Sequence, residues 1–154
     1  MIPVTGIFET HLLVHDLGRS VAFYRDVLGL ELAAQFPERG VAFLWIGGHG
    51  NAVLGLWETS APLGMQYHFA FSVRTEDVFA AVNALREAGI PPLGFHGEPT
   101  DEPVVLTWMP AVAVYFRDPD GHHLEFISML DAPQRPDLGL KAWPEWQQAV
   151  GGRR

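Results

Sequence analysis

The sequence contains no cysteine, which rules out disulfide bonds, thiolate metal sites and cysteine nucleophiles. Basic residues are scarce: 10 Lys and Arg stand against 18 Asp and Glu, for a formal net charge of -8. Nucleic acid and anionic membranes call for a basic face, so neither is an expected partner. No stretch approaches the roughly 20 apolar residues of a membrane span. The opening "MIPVTGIFET" has neither the basic nor the apolar region of a secretory signal, so a cytoplasmic location is expected. What is present is enough for a real core, since 48% of the 154 residues are apolar and 18% are charged.

The chain reads as one order of elements given twice. "FETHLLV" (8 to 14) alternates polar and apolar residues, as a half-buried strand does. Asp16 can cap a helix in which Leu17, Val21, Tyr24 and Leu28 recur at helical spacing, with Gly29 as its stop. Three extended runs follow, "LELAAQF", "VAFLWI" and "AVLGLWE", the last two joined by a "GGHGN" turn. After the short linker 60–65, "YHFAFSV" (67 to 73) alternates again. Thr75 is the expected cap of a helix with Val78, Val82 and Leu85 as its buried stripe, ending at Gly89. "PPLGFHG", "AVAVYFR" and "HHLEFIS" read as extended, and the proline-bearing piece Glu98 to Pro110 as a loop with some extended structure. This divides the chain into module one (6–59), module two (66–130) and a tail (131–154), the modules packing together as one domain. The tail is expected to be irregular, with a short helix after Pro144 and with Trp143 and Trp146 as anchors.

A side-chain period of two sorts the strands into faces. Glu9, His11 and Leu13 share one face of the first strand, with Phe8, Thr10, Leu12 and Val14 opposite. In the second opening strand Phe69, Phe71 and Val73 suit a helix-covered face, which turns His68 the other way. Glu9 and His68 stand at equivalent places of the repeat. The last strand sends Leu124 and Phe126 to the helices and His123 and Glu125 to the open face. Matching the two closing strands sets Glu125 opposite Gly55. Parity alone leaves both His123 and Glu125 open as the third partner of Glu9 and His68. Tyr115 and Trp57 fall on the same open faces.

The paired units, the segment "HDLGRSVAFYRDVLGLEL" and the segment "YFRDPDGHHLEFI" resemble the vicinal oxygen chelate superfamily over about residues 6 to 130. Glyoxalase I, fosfomycin-resistance thiol transferases, extradiol dioxygenases and metal-free bleomycin-binding proteins belong to it. The resemblance implies an α+β fold of two paired βαβββ modules, curved around a metal-binding cavity, in a homodimer. It places ligands at Glu9, Gly55, His68 and Glu125, and so selects Glu125, with His122 and His123 as neighbours. Two departures stand out: Glu9 where relatives often have His or Gln, and Gly55 where glyoxalase I carries Glu.

A metal site of Glu9, His68 and Glu125 would keep open positions for a small-molecule substrate, with Mn, Zn, Fe, Ni or Co as the divalent ion. The implied activity is that of a metal-dependent glyoxalase-like enzyme. It would carry out lyase or isomerase chemistry on a small oxygenated substrate, which a thiol conjugate would satisfy. Glu125 or Glu9 would move a proton. His11 would carry a proton or orient Glu9, and Tyr115 and Trp57 would contact substrate. Two alternatives stand beside this: an Fe(II)-dependent dioxygenase, and a metal-free protein that sequesters an aromatic or hydrophobic compound, which Trp45, Trp57 and Tyr115 would suit. His15, His49 and His96 are expected to face solvent.

Overall fold

A computed structural model describes residues 2–151. Its strands are β1 (Glu9–Val14), β2 (Glu31–Phe36), β3 (Val41–Ile46), β4 (Ala52–Glu58), β5 (His68–Ser72), β6 (Val104–Leu106), β7 (Ala111–Arg117), β8 (His123–Met129) and β9 (Leu140–Ala142). The helices are α1 (Leu17–Ala22), α2 (Thr75–Glu87) and α3 (Trp143–Gly151). The fold is α+β, with two βαβββ-like modules forming two mixed sheets, ordered β1-β4-β3-β2 and β5-β8-β7-β6-β9. In each sheet the opening strand runs parallel to the closing strand, and the remaining pairs are antiparallel. Among the described residues no helix is long and apolar enough to cross a membrane. The chain divides into two compact units. One takes residues up to Tyr67 together with Asp118–His122, and the other takes His68–Arg117 and the chain from His123 onward.

In the first unit Leu12 and Val14 of β1 are buried together with Leu17, Val21 and Tyr24 of the helical segment. Each such side chain contributes roughly 1.5–3 kcal/mol on leaving water. Asp16 caps α1 by accepting the Arg19 N–H at 2.8 Å, an arrangement worth about 1 kcal/mol. The helix then widens into a π-helical turn over Phe23–Val27, where the Leu28 N–H reaches the Phe23 carbonyl at 3.1 Å. Tyr24 sits fully buried in that turn, and its hydroxyl donates to Asp118 Oδ2 at 2.8 Å.

The turn Asp118–His122 is held by its own carboxylates. Asp118 Oδ1 accepts the backbone N–H of Asp120 at 3.0 Å and of His122 at 2.8 Å. Gly121 has φ 85°, and a Cβ there would meet Gln66 at 2.7 Å, so the position requires glycine. Asp120 accepts from His15 Nδ1 at 3.0 Å and from Arg19 Nη2 at 2.8 Å. His15 is exposed, as expected of it, with a side chain 46% accessible, and the folded turn also brings an acceptor to its ring. His122 is fully buried. Its Nδ1 accepts the Tyr67 N–H at 3.2 Å and its Nε2 donates to the Leu13 carbonyl at 2.8 Å, so both ring nitrogens are used in holding backbone.

In the second unit α2 buries Val78, Ala81, Val82 and Leu85. Thr75 is not the cap. It is the first helical residue, and its hydroxyl bonds Ser128 Oγ at 2.9 Å instead. The run "PPLGFHG" is not a strand either: two prolines remove donors, and its pairing is limited to isolated bridges of Leu93, one to Pro99 and one to Tyr115, with which it exchanges both backbone bonds. The tail is more regular than expected. Residues Leu140–Ala142 add β9 to the edge of β6, and α3 follows directly. Trp146 is buried, and the Trp143 ring lies 4.7 Å from that of Phe79 on α2. Leu140 also joins an apolar cluster that includes Leu93, Leu106, Ala113 and Tyr115.

Candidate functional site

Each unit carries one cluster of polar side chains on the sheet face turned away from its helix. In the first unit Glu9 and His11 leave β1 on that face, and His11 Nε2 donates to Glu9 Oε1 at 2.9 Å. The two side chains are 46% and 45% exposed, so the pair contributes orientation more than stability. His11 lies directly across from Gly55 of β4. A Cβ at residue 55 would stand 2.6 Å from His11 Cδ2 and 3.0 Å from Nε2, so the imidazole lies where a side chain at 55 would begin. Phe43 and Trp57 surround the same ring, with centroids 6.2 Å and 5.6 Å away. The Trp57 indole N–H is buried and has no hydrogen-bond partner.

In the second unit β5 and β8 place His68 beside His123, and Ala70 beside Glu125. The Glu125 side chain is only 6% exposed, whereas that of His68 is 49% exposed. Burial raises the Glu125 pKa above the usual carboxylate range, with Tyr115 and His68 opposing it. Tyr115, opposite Glu125 on β7, hydrogen-bonds that carboxylate. Its own hydroxyl pKa is raised by burial and by the negative charge of Glu125. His123 stacks on Tyr115 with centroids 5.2 Å apart, and its Nε2 is buried without a partner. Burial, then the charges of His68 and Arg117, lowers the His123 pKa.

The fine geometry of His68 sets the chemistry of this second cluster. Its Nδ1 donates to the His123 carbonyl at 2.8 Å, so in the neutral ring the lone pair lies on Nε2. That nitrogen faces Glu125 Oε2 at 3.3 Å. A lone pair and a carboxylate oxygen at that distance repel unless a proton or a cation lies with them. The other carboxylate oxygen, Oε1, is buried and has no partner at all. Ligand atoms on a tetrahedral ion with bonds of about 2.0–2.1 Å stand roughly 3.3 Å apart. Metal-binding imidazoles commonly donate their second nitrogen to a backbone carbonyl, as His68 does. His68 and Glu125 thus fit a divalent ion.

A profile of the Glyoxalase/Bleomycin resistance protein/Dioxygenase superfamily matches residues 6–126. The chain belongs to this superfamily. Lactoylglutathione lyase of Salmonella typhimurium is 31% identical over 137 residues, which cover 82% of this chain and 94% of that one. An integron cassette protein from the mobile metagenome of a Halifax Harbour sewage outfall has a similar structure. Its TM-score is 0.73 at 33% identity, over 82% of this chain and 100% of that one. Lactoylglutathione lyase from Agrobacterium tumefaciens follows with a TM-score of 0.62 at 26% identity, over 82% of this chain and 95% of the other.

Within this superfamily member the sequence-derived residues fall into two groups: Glu9, His11 and Trp57 in the first unit, and His68, Tyr115 and Glu125 in the second. Among the described residues no three His, Asp or Glu side chains converge as a group able to hold a metal. Three features escaped the sequence reading: the exchange of a side chain at 55 for the ring of His11, the carbonyl that fixes the His68 tautomer, and the unpartnered His123 Nε2. The first did leave a signal, since a glycine flanked by "VL" and "LW" in a strand marks a close approach.

Proposed function

We propose that this protein is a metal-dependent glyoxalase-like enzyme, with lyase or isomerase chemistry on a small oxygenated substrate. Glu9, His68 and Glu125 hold the ion together, within one chain or across a homodimer, in the cytoplasm. The observation that carries this reading is His68 Nε2 turned toward a buried carboxylate with one oxygen unpartnered, while Nδ1 is held by a carbonyl. The similarity to lactoylglutathione lyases supports the same class of reaction.

When bound, a divalent ion supplies Lewis acidity, polarising a substrate oxygen and stabilising negative charge that develops there. The chain's own residues do the rest. The His123 carbonyl holds the His68 ring in one tautomer. The raised pKa of Glu125 suits it to take a proton from a carbon beside a carbonyl and to return it. Tyr115 orients that carboxylate from across the ladder, and His11 does the same for Glu9.

The test is metal content per chain in wild type, Glu9→Ala, His68→Ala and Glu125→Ala. Near-stoichiometric metal in the wild type and loss in all three folded variants is the expected result. A wild type that stays empty after dialysis against Mn²⁺, Zn²⁺, Ni²⁺ and Fe²⁺ would sink the proposal.

One observation favours a second reading. His123 has an unpartnered Nε2 and its ring centroid lies 5.2 Å from that of His68; turned toward Glu125, it would complete two imidazoles and one carboxylate, the set suited to Fe(II) oxygen chemistry. In that case His123→Ala loses metal and Glu9→Ala keeps it.

A further inference from the structure

We infer that the substrate places a planar aromatic, uncharged group on the first sheet's open face, with a hydrogen-bond acceptor directed at the Trp57 indole. This rests on the reading above only for the placement of substrate on this face. The face is built from rings: Phe36, Phe43, Trp57 and His11 form a continuous chain of edge and tilted contacts, with centroids 5.6–6.5 Å apart. Register places Phe43 across from Gly55, and Trp57 across from Val41, on that same face. Such rings accept a flat partner through edge and offset stacking.

Charge narrows the class of ligand. The four strands β1, β2, β3 and β4 contain no Lys or Arg, and the carboxylate of Glu9 stands on the same face as the rings. Among the described residues, the guanidinium stacked on these rings is that of Arg39 in the β2–β3 turn, 5.6 Å over Phe36. A conjugate of a tripeptide thiol brings two carboxylates, and this face has no pair of cations to receive them. An uncharged ring meets no such penalty.

The indole N–H supplies the polar element. It is buried and unpartnered, a state that costs about 1–3 kcal/mol until an acceptor arrives. A ring carbonyl is the simplest group that combines a flat apolar body with such an acceptor.

Equilibrium dialysis with three probes tests this on full-length protein, metal-free and metal-loaded, with metal content measured in the same samples. The probes are coumarin (flat, with a carbonyl), naphthalene (flat, with none) and S-methylglutathione. Coumarin should bind saturably, and Trp57→Phe should weaken it about tenfold while leaving naphthalene unchanged. Phe43→Ala should weaken both aromatic probes, and S-methylglutathione should show the weakest binding. If S-methylglutathione binds as tightly as coumarin, or if Trp57→Phe leaves coumarin unaffected, the inference is overturned. Metal uptake in those same samples would leave the enzyme reading standing on its own.

Discussion

The two polar clusters occupy equivalent places in the repeat, yet they spend their space in opposite ways. On β1 and β4 the facing pair is His11 with Gly55, and on β5 and β8 it is Ala70 with Glu125. Each pair holds one functional side chain and one small residue, on opposite strands. Cross-strand neighbours have Cβ atoms only about 4.5–5.5 Å apart, so a long polar side chain on one strand leaves little room for another across from it. The first cluster gave its space to an imidazole from the opening strand, and the second to a carboxylate from the closing strand. The surroundings differ as well. Glu9 and His11 are nearly half exposed, while Glu125 is almost fully buried beside the second unit's apolar cluster. A repeated fold thus offers two similar frames, and single substitutions give them different chemistry.

The largest effect expected from breaking this asymmetry is on metal affinity. Glu125→Gln should cost about 100-fold or more, while His11→Ala, which only frees Glu9, should cost about tenfold. Metal titration of the two variants checks the ratio, and equal losses would remove the distinction drawn between them. Next comes the spatial exchange. Gly55→Ala should destabilise the protein by about 1–3 kcal/mol, because its Cβ meets the His11 ring. Adding His11→Ala should recover most of that loss, as read from thermal melts of both singles and the double. A penalty that persists without the ring would mean that backbone, not His11, makes the position tight.

A smaller effect separates the carboxylates of Asp120 and Glu125. Burial alone would raise the Asp120 pKa, but bonds from His15 and Arg19 hold it below the usual range. Glu125 is shifted the other way. The unfolded chain therefore binds more protons at residue 120, so Asp120 adds stability above its unfolded pKa and loses it as pH falls through the lower folded value. In metal-free protein Glu125 has the opposite sign. The folded state holds its proton longer, and stability declines as pH rises from the unfolded to the folded pKa. Urea melts from pH 3 to pH 7 should show a shallower acid loss in Asp120→Asn, and in metal-free Glu125→Gln a smaller decline above pH 4.5. An unchanged profile in Asp120→Asn would remove the His15 and Arg19 bonds from the account.

Much of the frame was legible beforehand. The face shared by Glu9 and His11, the opposite turn of Phe71 and Leu124, and the cap at Asp16 all follow from short-range rules. The alternation of a strand and the reach of a capping oxygen are properties of a few consecutive residues. The misreadings have the opposite character. Thr75 does not cap its helix, and its hydroxyl bonds Ser128, 53 positions away in sequence. His15 is exposed as expected, but the acceptor of its ring, Asp120, lies 105 positions away and no local rule points to it. The tail was read as irregular because three residues, "LKA", carry little strand signal until the edge of β6 is there to pair with them.

By itself the sequence determined the repeat, the faces of the strands and hence the small set of side chains available for chemistry, because periodicity is local and survives without partners. Only the tertiary structure decided how those side chains are used. It set the His68 tautomer through a carbonyl 55 residues on, consumed both nitrogens of His122 in holding backbone, and laid His11 where Gly55 has no side chain. Tautomers, desolvation and close approach depend on atoms that meet only after folding, and no spacing along the chain encodes them.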